Sequence, residues 1–169
     1  RRIPVVRAAE PDRMAYLLAI PDDPLYDQQY HWPLISAPSG WDIQTGSSNT
    51  VVAIIDSGIQ LNHPDLVGRI WNNPRPGSDP RYPNDLHGWD FVDEDNDPQP
   101  EPEEEAENWN VSHGTHVAGL VGAATDNAVG VAGLDWQCKL MAVKVFDRDG
   151  SAATSTIIRG FEYAAEKGA

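Results

Sequence analysis

The sequence predicts an α/β fold, a doubly wound, mainly parallel sheet with helices on both faces. Two observations carry this. Val51–Ile55 is a continuous β-branched run closed by Asp56-Ser57-Gly58, and Leu140–Phe146 is a second apolar segment closed by Asp147-Arg148-Asp149-Gly150. Both fit strands buried on both faces, the usual condition of strands in a parallel sheet. Helical segments alternate with them: His113–Ala124 lies between, and Ser151 to about Glu166 follows. Strand, helix, strand, helix is the signature of a sheet covered on both sides.

The elements follow in chain order. Ile3–Val6 is strand-like, Tyr16–Ile20 is an apolar run, and Pro21-Asp22-Asp23-Pro24 breaks the chain. Residues 25–50 are aromatic and polar, with a short helix expected around Ser39–Thr45. Residues 57–110 read as mostly loop, heavy in Pro, Asn, Asp and Gly; a loop region of that length inside a domain is usually functional or an insertion. The 113–124 helix is rich in Gly and Ala and carries apolar residues on most faces, so it is expected to be buried close against the sheet. Ile157, Ile158, Phe161, Tyr163 and Ala164 supply the apolar positions of the last helix, and Lys167-Gly168 ends it.

The 169 residues suffice for one domain with a core. Acidic residues outnumber basic ones 26 to 12, a net charge of −14, which argues against a nucleic-acid partner. No apolar stretch is long enough to span a membrane. A single cysteine, Cys138, excludes an internal disulfide and reads as a small packed hydrophobe.

Asp56 stands at the carboxyl end of a buried strand, the edge where open α/β sheets collect ligands and catalytic groups. Local sequence alone also allows a turn or cap aspartate. His113 opens a helix; a capping role competes there, though Ser112 beside it is the better cap. Zinc peptidases use His at i and i+4 with a Glu between. Here His113 and His116 are three apart and enclose Gly114 and Thr115. Asp90, Asp93, Asp95, Asp97 and Gln99 form an alternating run of oxygen donors suited to a hard cation, here calcium. An EF-hand beginning at Asp93 would need Gly where Pro98 stands. A solvated acidic loop is the alternative.

Asp56-Ser57-Gly58 after its strand, His63-Pro64-Asp65-Leu66, and His113-Gly114-Thr115-His116-Val117-Ala118-Gly119 resemble the subtilisin-like serine proteases, thermitase-like members in particular. The order Asp then His is that family's order. The resemblance runs from about Asp22 to the last residue. It implies that Asp56 orients an imidazole and that His113 is the general base and then the general acid. It implies a structural place for His116 in the buried helix and a cleft position for Phe146.

The same resemblance implies that the nucleophilic serine, the oxyanion-hole asparagine and the specificity strand lie beyond Ala169. The expected organisation is a propeptide tail or leader over residues 1–18 and the N-terminal portion of a peptidase domain over 19–169. The fold would then be incomplete at its C-terminus. Its expected partners are polypeptide substrates and the C-terminal portion of its own domain, and its expected location is extracellular.

Trp89-Asp90-Phe91-Val92-Asp93 resembles a calcium loop of thermitase-like enzymes. A second calcium is implied at the side chains of Asp23, Asp65 and Asn127, with backbone carbonyls from Ala124, Val129 and Val131. Glu101–Asn108 and Asn72–Asn84 are insertions relative to compact members. The competing reading is a non-catalytic relative, a pseudoprotease or calcium-dependent binding module. A nucleotide-binding domain is disfavoured, because no Gly-rich phosphate loop follows the first strand.

Overall fold

The computed structural model describes residues 19–102 and 110–169. The expected leader, residues 1–18, and most of the 101–108 insertion lie outside the described residues.

Alternation along the two apolar runs decides how the sheet is covered. Strands β1 (Val51–Asp56) and β3 (Lys139–Lys144) pair in parallel, with Val51 opposite Lys139 and Asp56 opposite Lys144. A third strand, β2 (Gly88–Asp90), joins the far side of β3, also in parallel, giving the order β1-β3-β2 among the described residues. Successive side chains of a strand point to opposite faces. Val52, Ile54, Leu140 and Ala142 therefore pack with Ala118 and Ala123 of helix α3 (Asn110–Gly122) and its C-terminal junction. Val51, Ala53, Ile55, Met141, Val143 and Val145 pack with Tyr163 and Ala164 of helix α4 (Thr154–Lys167). Helices thus cover both faces, as the sequence predicts. Among the described residues no helix is long and apolar enough to cross a membrane.

Boundaries shift for identifiable reasons. In place of one helix near 39–45 there are two short ones, α1 (His31–Leu34) and α2 (Ala37–Trp41). Pro38 falls in the first turn of α2, where its missing N–H costs nothing. Trp32 and Trp41 from these helices form an edge-to-face pair, and Trp41 also packs on Trp136. Helix α3 ends at Gly122: Ala123 N–H still donates to the Gly119 carbonyl, but Ala124 N–H turns to the Asp65 carbonyl. Helix α4 starts at Thr154 rather than Ser151, whose N–H is held by the Asp147 carboxylate. Its end is as expected, with Gly168 at φ +91° capping the last turn. Strand β2 lies within the stretch expected to be mostly loop. It is three residues long, and Gly88 lies so close to Ala142 that a Cβ would overlap the carbonyl oxygen.

The long loop between β1 and α3 is fastened to α4. Asp85 is fully buried; it pairs with Lys167 at 2.7 Å and accepts the Tyr163 hydroxyl at 3.1 Å. Arg81 reaches Glu166 at 2.6 Å.

Gly160 is where α4 meets the sheet. A Cβ there would lie 2.8 Å from Val145 Cγ1 and 3.2 Å from both Ile55 Cγ2 and Val143 Cγ1. These are stiff, β-branched core residues. Gly160→Ala is expected to lower unfolding stability by about 1–2 kcal/mol, overpacking outweighing the helix-propensity gain. Urea unfolding checks this; a more stable variant would show a looser α4–sheet contact than described here.

Candidate active site and cation sites

The last residue of β1 carries the first functional side chain. Asp56 is held there by the ladder: its carbonyl accepts the amides of Val145 and Phe146 as the chain leaves β3. Its carboxylate Oδ1 accepts the Ser57 amide at 2.7 Å. His113, in the first turn of α3, places Nδ1 2.8 Å from Asp56 Oδ1 and 3.0 Å from Oδ2. The imidazole side chain is 46% exposed and the carboxylate 14%. With Nδ1–H donating to the carboxylate, Nε2 is left as the basic nitrogen on a ring open to solvent. That is the arrangement of a general base and the group that orients it.

Backbone closeness makes the pair possible. Gly114, next to His113, sits against the turn after β1; a Cβ there would be 2.3 Å from the Gly58 carbonyl and 3.1 Å from Asp56 Oδ1. Gly114 N–H donates to Ser57 Oγ, and Gln60 N–H donates to Thr115 Oγ1. Ser57 is thus a buried anchor for the first turn of α3. Among the described residues His116 is exposed, not enclosed in a buried helix. Helix α3 buries only one stripe, Gly114, Ala118 and Gly122, and His116 falls off that stripe.

Asp23, Asp65 and Asn127 come together from three distant segments. Asp23 and Asp65 are 4% and 2% exposed, and among the described residues neither pairs with Lys or Arg. Asp23 accepts the amides of Asp126 and Asn127; Asp65 accepts the Val131 amide and the Asn127 side-chain amide. Burial raises the Asp23 pKa, backbone hydrogen bonds oppose that rise, and the charges of Asp65 and Asp22 add to it. Residues 124–131 wrap this spot, with Asp126, Ala128 and Gly130 all at positive φ. Two buried, unneutralised carboxylates suit a hard cation. Asp22, Asp23 and Asp126 also bring carboxylate oxygens within 4.8 Å of one another. Asp22 and Asp126 were not foreseen, although each adjoins an expected ligand.

The acidic loop after β2 is organised differently from the expectation. Asp90 is 1% exposed, and its Oδ2 lies 2.8 Å from Lys144 Nζ. Its Oδ1 accepts the amides of Val92 and Asp93. Asp93 and Glu101 also face Lys144. Asp95 accepts the Asp97 amide, and Asp97 accepts the Gln99 side-chain amide. Asp90, Asp93, Asp95, Asp97 and Gln99 line one cavity, but they share it with the Lys144 ammonium, and among the described residues no three of these carboxylates come within 4.8 Å of one another as those of Asp22, Asp23 and Asp126 do. A single basic residue inside an apolar strand, Lys144, was the available signal.

Comparison with known proteins bears on the whole arrangement. The family model described as "Subtilase family" matches residues 47–169. The chain belongs to the subtilase family. Among relatives, thermitase of Thermoactinomyces vulgaris is 39% identical over 150 residues, covering 88% of this chain and 45% of the relative. A thermophilic serine proteinase of a Bacillus species is 35% identical over 167 residues, covering 98% and 36%. A solved protease structure from Pseudoalteromonas arctica aligns with a TM-score of 0.63 at 31% identity, over 85% of this chain and 44% of that one. The chain spans less than half the length of each of these proteins. The parallel sheet and its two helical layers accord with an α/β, subtilisin-like fold for this chain.

Proposed function

We propose that this subtilase chain supplies two members of the catalytic triad of a serine endopeptidase, Asp56 as orienting carboxylate and His113 as general base. The observation that carries the reading is the Asp56–His113 contact of 2.8 Å at the carboxyl edge of the sheet. His113 Nε2 takes the proton of a serine hydroxyl as that oxygen attacks a peptide carbonyl, then returns it to the leaving amine. Asp56 holds the productive tautomer and offsets the charge of the imidazolium.

The nucleophile and the oxyanion donors belong, in this proposal, to residues following Ala169, and residues 1–169 alone cleave nothing. Residues 19–169 are the N-terminal portion of the peptidase domain, and residues 1–18 the tail of a propeptide. The substrates are polypeptides. An extracellular site of action is supported by relatives named halolysin-like extracellular serine protease and extracellular basic protease. The test is casein hydrolysis by the polypeptide continued through its nucleophile, with and without a serine-directed inhibitor. Inhibitor-sensitive cleavage is expected. Calcium binding without any cleavage would make the chain the non-catalytic binding module instead.

Calcium is proposed at Asp23, Asp65 and Asn127, with carbonyls of Ala124, Val129 and Val131. The ion would there neutralise the two buried carboxylates and tie the N-terminal segment to the loop after α3. At a hundredfold excess over its dissociation constant, a native-state ligand adds about 2.7 kcal/mol, on the order of 5–10 °C in Tm. Asp65→Ala should abolish that gain. The pH dependence follows from the raised Asp23 pKa. Without metal, the folded state keeps a proton that the unfolded chain has released, a contribution present at low pH and lost as pH rises through the folded pKa. Calcium displaces that proton, so its stabilisation should be larger at pH 8 than at pH 4. Equal melting temperatures in calcium and in chelator at pH 8 would count against the site.

A further inference from the structure

Loop 90–101 carries six carboxylates, Asp90, Asp93, Glu94, Asp95, Asp97 and Glu101. A metal is one way to hold so much like charge together; the structure supplies another. Lys144 ends the central strand β3, in register with Asp56 on one side and Asp90 on the other. Its side chain is 3% exposed, and Nζ lies 2.8 Å from Asp90, 2.5 Å from Glu101 and 3.6 Å from Asp93. An ammonium has three donors, and here three carboxylates face it. Burial works to lower the Lys144 pKa, but the hydrogen bonds to Asp90 and Glu101 outweigh it and leave the pKa raised.

The remaining carboxylates have partners of their own. Arg159 of α4 grips Glu94 with its two terminal guanidinium nitrogens, at 2.6 and 2.8 Å, and lies over the Phe91 ring. Asp95 closes a turn by accepting the Asp97 amide, and Asp97 accepts the Gln99 side-chain amide. Calcium would need six to eight oxygens at 2.3–2.6 Å, and it would have to sit beside a buried positive charge. The far end of the loop then meets the turn behind Asp56: Ile59 N–H donates to the Pro98 carbonyl at 3.1 Å, and a Cβ on Gly58 would strike residues 98–100.

We propose that Lys144 is the resident cation of loop 90–101, holding it in the place where the family resemblance implies calcium. The turn that follows Asp56 is then buttressed without metal from this loop. The inference does not rest on the chain being a peptidase.

The test is calorimetric titration of chelated protein with calcium, together with melting curves in calcium and in chelator. The double variant Asp95→Ala/Asp97→Ala should bind the same number of calcium ions as the unaltered protein, with dissociation constants within about twofold. Lys144→Gln should melt roughly 10 °C lower in chelator, because it strands buried Asp90 without a counter-charge. Calcium should restore part of that loss, and Lys144→Arg should keep most of the stability. Loss of one bound calcium in the double variant would overturn the proposal. So would a Lys144→Gln protein whose melting in chelator is unchanged. If Lys144→Gln does not fold, the stoichiometry of the double variant decides alone.

Discussion

Replacing His113 with Ala is expected to cut kcat/KM for peptide hydrolysis by about 10⁶-fold in the polypeptide that carries the whole triad. His113 Nδ1 is committed to Asp56 at 2.8 and 3.0 Å, which leaves the base role to Nε2. The fold should survive, because the side chain is 46% exposed and contributes little to the core. Asp56→Asn should cost about 10⁴-fold, since the amide neither selects the tautomer nor offsets the imidazolium charge. Steady-state kinetics with circular dichroism of the same samples checks both. A variant keeping more than a tenth of the original rate would remove that residue from its role.

Gly114→Ala is the second large effect. The added methyl group would lie 2.3 Å from the Gly58 carbonyl, a backbone atom that cannot swing aside, and 3.1 Å from Asp56 Cβ and Oδ1. Helix α3 must then move away from β1, and it takes His113 with it. A displacement of about 1 Å in a catalytic group costs on the order of 10²-fold. Overpacking adds about 1–3 kcal/mol of destabilisation. The expected pattern is a fall in kcat larger than any rise in KM, with Tm reduced. Unchanged kcat would mean that the helix does not bear directly on Asp56.

Some of this was legible in the sequence and some was not. The runs Val51–Ile55 and Leu140–Phe146 announce their strands because burial on both faces forces continuous apolarity. Asp56 and His113 are legible because each ends or opens such an element with a long, specific motif around it. Strand β2 escaped notice because three residues, one of them Gly88, make no pattern; the strand exists through its contact with Ala142. Ser57 could be recognised as a neighbour of Asp56 but not as the acceptor of the Gly114 amide, a contact across 57 positions. The acidic loop shows the same limit from the other side. Its alternating carboxylates suggest a metal until the end of β3, more than forty residues away, brings Lys144 beneath them. Local spacing reports the donors a loop has, whereas the cation that meets them is set by topology.

The most direct measurement is covalent labelling of the complete polypeptide with a fluorophosphonate, which reacts with a serine only when a neighbouring base activates it. The expected result is stoichiometric labelling of one serine beyond Ala169, reduced at least a thousandfold in rate by either His113→Ala or Asp56→Asn, on the order of the loss of general-base assistance. Labelling at an undiminished rate in both variants would contradict the assignment of Asp56 and His113 as the orienting acid and the base.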